Sequence, residues 1–346
     1  MAVIQRHDKV WKAVNVLVTG GAGYIGSHVA QRLVNSGHAT CIYDNLSRGH
    51  RRATLAAPCI CGELSDERRL ASLLSEFNIQ AVIHCAGLAQ VGESVEHPDR
   101  YFEVNVGGTL CLLNAMLAAR VDRIVFSSTT AIFGTPTRIP IDEGISPNPI
   151  SPYGFSKFVV ERMLEDFASA YGISFAALRY FNAAGASEDG TIGEDHRPET
   201  HLIPLALQVA LGQKSELTIL GGDYPTTDGT CVRDYIHVDD LADAHVLAIS
   251  ALDRHKHLKL NLGSGTGSSV RKVIEVCRTV TGHPIPTAIG PRRAGDAPIL
   301  IADSRRAQEV LGWRCQKSDL RCIIESAWKW MQRFPNGYPC TGRDNG

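Results

Sequence analysis

Residues 16–28, VLVTGGAGYIGSH, join an apolar run to a glycine-rich turn and then to the beginning of a helix. The glycines fall at Gly20, Gly23 and Gly26. In a strand–turn–helix context, this spacing permits a tight turn, close approach of a pyrophosphate to the backbone, and close packing of helix on strand. The first helical turn then offers N–H groups and the positive end of its dipole to phosphate oxygens. The stretch therefore predicts a dinucleotide-binding loop.

An acidic residue follows at the place where such a loop needs one. Asp44 ends the next apolar run, ATCIYD, and stands 18 residues beyond Gly26. A carboxylate at this position accepts hydrogen bonds from a ribose diol and repels a 2′-phosphate. The sequence thus predicts NAD as the cofactor rather than NADP.

The rest of the N-terminal half alternates short apolar strands with helical stretches, which favours a parallel sheet covered on both faces. We predict an α/β fold of the Rossmann type, a doubly wound parallel sheet with a smaller C-terminal substrate-binding domain. The expected NAD-binding domain covers 12–182, with 232–262 returning to it, and the second domain covers 183–231 and 263–340. The predicted strands are 14–20, 39–44, 81–87, 123–128 and 174–181, and the predicted helices include 24–36, 65–77, 98–119 and 153–171.

Composition excludes several classes of partner. The 346 residues carry a formal net charge of −1, so no bulk field recruits nucleic acid or an acidic membrane surface. No apolar run reaches the roughly 20 residues that span a bilayer, and residues 1–14 are too short and mixed for a secretion signal. The ten cysteines show no CxxC spacing and the 13 histidines no HExxH pattern. We expect a cytoplasmic protein with reduced thiols and no metal site.

A second stretch, SPYGFSK at 151–157, sets Tyr153 and Lys157 four residues apart behind a proline that suits a helix start. The two side chains then share one helix face. Thr129, at the end of the strand in FSSTTAIFG, adds a hydroxyl at the carboxyl edge of the sheet. Alone, a YxxxK pair is often an ordinary surface contact. Beside a bound NAD, the three groups form a general-base unit in which Lys157 and the nicotinamide charge are expected to lower the pKa of Tyr153 from about 10.

Together these motifs resemble the extended short-chain dehydrogenase/reductase superfamily. The segments RYFNAAGA, ETHLIP, RDYIHVDDLA and PRRAGD resemble the UDP-glucose 4-epimerase family within it, and the likeness runs from about Asn15 to Tyr338. The resemblance implies an isomerase that oxidises the sugar at C4, turns the 4-keto intermediate over and reduces it on the other face. Tyr153 is implied as the base, Thr129 as its hydrogen-bonding partner and Lys157 as the residue that holds the nicotinamide ribose.

The resemblance also implies binding residues. Those for NAD, besides Tyr153, Lys157 and the three loop glycines, are Tyr24, Ile25, Asp44, Asn45, Leu46, Glu63, Leu64, Cys85, Ala86, Gly87, Ala89, Asn105 and Phe181. Those for a UDP-hexose, bound mainly by the second domain, are Thr129, Asn182, His201, Leu202, Thr218, Leu220, Arg233, Tyr235, Arg293, Asp296 and Leu300. Leu300 is implied to control the space beside the sugar 2-position.

Several interpretations stay open. A nucleotide-sugar 4,6-dehydratase would carry an acidic pair directly after the active-site Thr, and here Thr130 and Ala131 follow. An epimerase of a related UDP-sugar, such as an N-acetylhexosamine, a uronate or a pentose, remains possible, as does a non-catalytic NAD-sensing regulator. The helices at 98–119 and 153–171 carry apolar residues on more than one face, and family members pair these helices. We therefore expect a homodimer.

Overall fold

A seven-stranded parallel sheet organises the N-terminal part of the protein in a computed structural model, which describes residues 13–54, 56–293 and 295–339. The strands lie in the order β10-β6-β5-β4-β1-β2-β3, and every pairing along this order is parallel. The predicted doubly wound α/β fold is confirmed. The strands are β1 (Asn15–Thr19), β2 (Ala39–Asp44), β3 (Cys59–Cys61), β4 (Ala81–His84), β5 (Arg123–Thr129), β6 (Ser174–Tyr180) and β10 (His257–Leu262).

Helices cover both faces of this sheet. Successive strand residues point to opposite faces, so Val16 and Val18 of β1 enter one apolar core and Leu17 enters the other. The first core contains α1 and α8, and the second contains α2, α5 and α6. Burying each such Val or Leu side chain contributes about 1.5–3 kcal/mol to the free energy that favours the folded state. The helices of this part of the protein, including the short α3 and α4, are α1 (Tyr24–Asn35), α2 (Glu67–Glu76), α3 (Val91–Glu96), α4 (Pro98–Tyr101), α5 (Gly108–Ala118), α6 (Pro152–Tyr171) and α8 (Val238–Ala251).

The predicted helix at 98–119 is interrupted. A π-helical segment, Phe102–Gly107, separates α4 from α5. Asn105 lies in this segment and is buried. Wider turns of this kind are frequent at functional sites because they redirect a side chain without ending the helix.

Smaller sheets and a third apolar core make up most of the C-terminal part. β9 pairs with β7, β11 and β13, while β8 pairs with β12. The third core unites α7, α9 and α11. These elements are β7 (Asn182–Ala184), α7 (Leu202–Ala210), β8 (Leu217–Leu220), β9 (Val232–His237), β11 (Gly267–Ser269), α9 (Val270–Thr281), β12 (Thr287–Gly290), β13 (Ile299–Leu300), α10 (Arg305–Leu311) and α11 (Leu320–Arg333).

The segment 232–262 is shared between the two parts. Its first strand, β9, lies in the smaller four-stranded sheet, whereas α8 and β10 lie on and in the large sheet. The domain division stays a prediction, and its outer boundaries at 12 and 340, like most of the N-terminal segment, lie outside the described residues. Within the described ranges, no helix is long and apolar enough to cross a membrane.

Candidate active site

The glycine loop connects β1 to α1 and contacts the segment that follows β4. The strands β1 and β4 are neighbours at the place where the strand order reverses. Gly20 has φ +70°, and a Cβ there would lie 2.4 Å from the backbone nitrogen of Ala86. A Cβ on Gly26 would lie 2.2 Å from the Gly20 carbonyl oxygen. Only glycine fits both positions, because the backbones already touch. The crevice beside this loop is the place where open parallel sheets bind dinucleotides.

The beginning of α1 presents open backbone donors. Gly23 occupies the cap position with extended backbone, and no side chain caps the helix there. The N–H groups of the first turn, at Tyr24 and Ile25, have no acceptor within the helix. With the helix dipole behind them, they suit a pyrophosphate.

Asp44 is held at the end of β2 by the same loop. Its carboxylate accepts hydrogen bonds from the backbone N–H of Ala22 at 3.0 Å and of Leu46 at 2.8 Å. Burial raises the pKa of Asp44, and the two backbone donors oppose that rise. Next to it, the Asn45 amide donates to the Glu63 carboxylate at 2.9 Å, and both side chains are exposed. Leu64 packs against the start of α5, next to Gly108.

The segment after β4 meets the helix that carries Lys157. The Asn105 side chain accepts from the Leu88 N–H at 2.8 Å, and its amide donates to the Leu88 carbonyl and to Ser156 Oγ. A Cβ added to Gly87 would lie 2.9 Å from Asn105 Oδ1 and 3.3 Å from Lys157 Nζ. Cys85 and Ala86 are half-buried here, and Ala89 is exposed. The structure thus brings these predicted NAD contacts to one edge of the sheet.

Tyr153 and Lys157 lie one turn apart on α6, as predicted. Ser151 caps this helix, since its Oγ accepts from the Gly154 N–H at 3.2 Å, and Pro152 begins it. Lys157 Nζ donates to the Ser127 carbonyl at 3.1 Å and lies 4.8 Å from the centroid of the Phe126 ring. Tyr153, Lys157 and Thr129 are all buried.

The electrostatics of this unit are dominated by burial. Burial raises the pKa of Tyr153, and the hydrogen bond of the Thr129 hydroxyl lowers it by less. The lowered Tyr153 pKa was predicted for the NAD-bound protein, where the nicotinamide charge adds to that of Lys157, and it stays a prediction. Burial also lowers the pKa of Lys157 to about 8, while Cys85 acts in the opposite direction.

Four of the eleven predicted sugar-nucleotide residues lie on β7, β9 and β13. Asn182 pairs with Tyr235 across β7 and β9, and Arg233 pairs with Leu300 across β9 and β13. The Arg233 guanidinium donates to Asp296 at 2.7 Å, and Phe181 is buried just before β7. His201 and Leu202 begin α7, and Arg293 is exposed before β13. Thr218 and Leu220 stand apart on the two-stranded β8–β12 sheet with exposed side chains.

Three residues that support this site were missed from the sequence. The Tyr101 ring lies edge-on to Tyr153 with centroids 6.3 Å apart. Glu161, one turn beyond Lys157, forms a fully buried ion pair with Arg179 at 2.6 Å and accepts from Ser128 Oγ. The spacing Tyr153, Lys157, Glu161 was a readable signal, since i, i+4 and i+8 share one helix face.

The fold and this site are shared with known proteins. The model of the NAD dependent epimerase/dehydratase family matches residues 16–263. The chain belongs to that family. It is 49% identical over 330 residues to the UDP-glucose 4-epimerase of Halalkalibacterium halodurans, covering 95% of this chain and 99% of that one. It is 50% identical to the Brucella ovis UDP-glucose 4-epimerase solved with NAD, and the two structures superpose with a TM-score of 0.89 over 91% of this chain and 98% of that one. For the Bifidobacterium longum UDP-glucose 4-epimerase, solved with NAD⁺ and UDP, identity is 39%, TM-score 0.90 and coverage 94% and 100%.

As a member of the epimerase/dehydratase family, the protein is an NAD-dependent enzyme, and its residues fit that cofactor. Gly20 and Gly26 let the loop turn tightly against Ala86 and against the start of α1, where any Cβ would collide with backbone. Asp44 lies at the ribose end of the loop, and Lys157 lies across the strand ends beside Asn105 and Gly87. The individual contacts of these residues with NAD stay predictions.

Proposed function

We propose that this protein interconverts UDP-glucose and UDP-galactose by reversible epimerisation at C4 with bound NAD. The observation that carries the proposal is the buried Thr129, Tyr153 and Lys157 unit at the sheet edge that also holds the dinucleotide loop. The relatives at 46–49% identity named as UDP-glucose 4-epimerases support the same reaction.

In this mechanism Tyr153 moves the proton. Its phenolate oxygen takes the proton of the sugar 4-hydroxyl as the C4–H bond breaks, which leaves a 4-keto sugar. NAD, when bound, supplies the hydride acceptor and returns the hydride to C4. Thr129 hydrogen-bonds the same oxygens and lowers the pKa of Tyr153. Lys157, one turn away on α6, is assigned to favour the phenolate through its positive charge. Tyr153 returns the proton when the opposite face of the ketone has been reduced.

Epimerisation requires a firm hold on the nucleotide and a loose one on the hexose, because the keto sugar must turn over. Arg233 is oriented by Asp296, and Arg293 is exposed nearby in the chain, so two guanidinium groups can bind the diphosphate. Asn182 and Tyr235 are side by side on β7 and β9. We assign NAD binding to 12–182 with 232–262 returning to it, and UDP-sugar binding mainly to 183–231 and 263–340, to which Asn182, Arg233 and Tyr235 contribute from the edge of the first domain.

Other UDP-sugars form the second candidate. Leu300 is half-buried and packs against the apolar cluster that contains Phe133 and Phe181. This residue is smaller than tyrosine, which supports partial room at the sugar 2-position. The regulator alternative would require loss of Tyr153 or Lys157, and both are present.

We also propose a homodimer in the cytoplasm. Phe102, Leu110 and Phe155 are large apolar side chains exposed on the α4–α5 and α6 region, where a second copy can cover them. The cysteines within the described ranges are free thiols, as a reducing compartment maintains.

The test is to incubate purified protein with UDP-galactose and no added cofactor, and then to separate the UDP-sugars. We expect UDP-glucose to appear with catalytic turnover, because the cofactor is regenerated in each cycle. A reaction that consumes added NAD in proportion to product would instead identify a net dehydrogenase.

A further inference from the structure

The segment between β7 and α7 brings four potential metal ligands together. In GEDHRPETH, residues 193–201, they are Glu194, His196, Glu199 and His201. Each offers one ligand atom, and the four atoms all lie within 4.8 Å of one another. The spacing E-x-H-x-x-E-x-H matches no common zinc motif, so the sequence predicted no metal site. The backbone path of the segment creates this cluster.

The imidazole nitrogens lie at or near hydrogen-bond distance from the carboxylate oxygens of the two glutamates. His201 Nδ1 lies 2.8 Å from Glu194 Oε1 and 2.9 Å from Glu199 Oε1. His196 Nδ1 lies 3.1 Å from Glu194 Oε1 and 3.7 Å from Glu199 Oε2. Zinc bonds to nitrogen and oxygen of about 2.0–2.1 Å require ligand separations of roughly 3.3–3.4 Å. The four ligand atoms now lie within 4.8 Å of one another, so side-chain rotations that close them to this separation would place them around one ion.

The carboxylates are held in place by more than the imidazoles. Glu199 Oε1 also accepts from the backbone N–H groups of Thr200 at 2.6 Å and His201 at 2.7 Å. The Glu194 and Glu199 side chains are 7% and 6% exposed, whereas the His196 and His201 side chains are 29% and 48% exposed. The site thus has an oriented, desolvated acidic floor and a solvent-facing imidazole side through which an ion can enter.

We propose that Glu194, His196, Glu199 and His201 bind one Zn²⁺ ion. Two imidazole nitrogens and two carboxylates suit zinc better than magnesium or calcium, which prefer oxygen ligands throughout. The two carboxylate charges neutralise the dication. With four protein ligands the site is closed, so the ion is structural and takes no part in the proton transfer at Tyr153.

The position of the cluster between α1 and α7 indicates what a bound ion would do. The His196 ring lies edge-on to Tyr24, the first residue of α1, with centroids 6.3 Å apart. His201 is the cap residue of α7, immediately before Leu202. Zinc would therefore fix segment 194–201 between the dinucleotide loop and the helix that begins with two predicted uridine contacts. The proposal does not depend on which sugar is epimerised.

The experiment uses the full-length protein, stripped with a chelator and then titrated with zinc chloride against a chromogenic competitor. We expect one zinc per chain. In a His196→Gln/Glu199→Gln variant, affinity should fall by more than about 100-fold, beyond the usual effect of losing an outer-shell partner. The matched control is His255→Gln/Glu275→Gln, which removes an exposed histidine and an exposed glutamate elsewhere. This control should bind zinc as the wild type does.

Cobalt substitution of the wild type provides a readout that needs no variant. Tetrahedral Co²⁺ with nitrogen and oxygen ligands gives intense visible bands without thiolate charge transfer. Three results would overturn the proposal: no zinc retained by the wild type, zinc retained equally by the double variant, or a cobalt spectrum that is octahedral or thiolate-bound. The last two outcomes would assign the metal to solvent-exposed sites or to cysteines.

Discussion

Lys157 brings its ammonium group into a site where the residue is only 5% exposed, and burial lowers its pKa from 10.5 to about 8. Because the folded pKa lies below the unfolded one, the unfolded chain binds more protons between these values. Wild-type stability should therefore rise from pH 8 to pH 10.5 relative to a Lys157→Met variant. The difference of 2.5 pKa units corresponds to about 3 kcal/mol.

Urea denaturation of both proteins across this pH range measures the effect. We expect Lys157→Met to be at least as stable as the wild type at pH 8 and to lose epimerase activity. The advantage of the variant in unfolding free energy should then shrink as pH rises. A difference that does not change with pH would show that the buried lysine carries no such penalty.

The Tyr153 phenol is the second residue-scale test. Replacing it with phenylalanine keeps the ring against Tyr101 and removes only the oxygen that moves the proton. We expect kcat to fall by about 10²–10⁴, the usual contribution of general acid–base catalysis, with little change in UDP binding. Tyr171→Phe is the control, since this tyrosine ends the same helix and is exposed. Near-normal kcat in Tyr153→Phe would assign the proton transfer to another group.

Leu300 tests substrate range. Its half-buried side chain is flexible and leaves more space than a tyrosine would. We expect turnover of UDP-N-acetylgalactosamine that is measurable but weaker than that of UDP-galactose, within the ~1–3 kcal/mol that pocket shape supplies. Leu300→Tyr should abolish the acetylated activity and spare UDP-galactose. If the wild type has no acetylated activity and Leu300→Cys creates none, the sugar 2-position is controlled elsewhere.

At the scale of elements, the register of α6 on the sheet depends on a buried ion pair. Glu161 on α6 and Arg179 on β6 are 0% and 3% exposed in their side chains, and Ser128 on β5 donates to the same carboxylate. Glu161→Gln leaves a buried guanidinium without its counter-charge, which costs about 3–5 kcal/mol. The exposed pair Arg321–Glu325 on α11 is the control, and Glu325→Gln should cost at most about 1 kcal/mol. If thermal unfolding showed the same loss of stability in Glu161→Gln and Glu325→Gln, this role for Glu161 would be contradicted.

Local signals predicted the elements that carry the chemistry. The strands β1, β2 and β5 and the helices α1 and α6 follow from apolar runs, glycine spacing and a proline at a helix start. The π-helical turn that buries Asn105 had no such signal, because it depends on contacts with Leu88 and Ser156, 17 and 51 residues away. The burial that raises the pKa of Tyr153 had no sequence signal either, because it too depends on packing between distant segments. The charge of Lys157 could be inferred from the sequence, but the degree of burial could not.

At the scale of the molecule, long-range packing determines which distant residues come into contact, and sequence spacing alone does not predict these contacts. Arg233 and Asp296 stand 63 residues apart and form one ion pair. The resemblance to a known family had placed both at the substrate without pairing them. The cluster of Glu194, His196, Glu199 and His201 lies within nine residues, yet its irregular spacing hid it. Thr218 and Leu220, taken from the same resemblance, stand on a separate small sheet with exposed side chains. Their contact with the nucleotide stays a prediction.

We propose the apolar surface beside α6 as the contact between two copies of the chain. The Phe102 and Phe155 rings meet edge-on with centroids 6.1 Å apart, and both residues remain substantially exposed at 39% and 47%. Leu110 on α5 is exposed to a similar extent. A neighbouring copy that covers these side chains gains about 25 cal/mol for each Å² of apolar area removed from water. A buried glutamate in the interface would instead lose its hydration.

Leu110→Glu/Phe155→Glu should therefore convert the dimer to a monomer, as measured by light scattering at micromolar concentration. Ile289→Glu is the matched control, because this residue is 62% exposed on the distant β12 strand and its variant should keep the mass of the wild type. Both glutamates point to solvent in an isolated chain, so the thermal stability of the monomeric variant should change little apart from the lost association. A monomeric wild type, or a double variant that remains dimeric, would place this apolar surface outside any interface between copies.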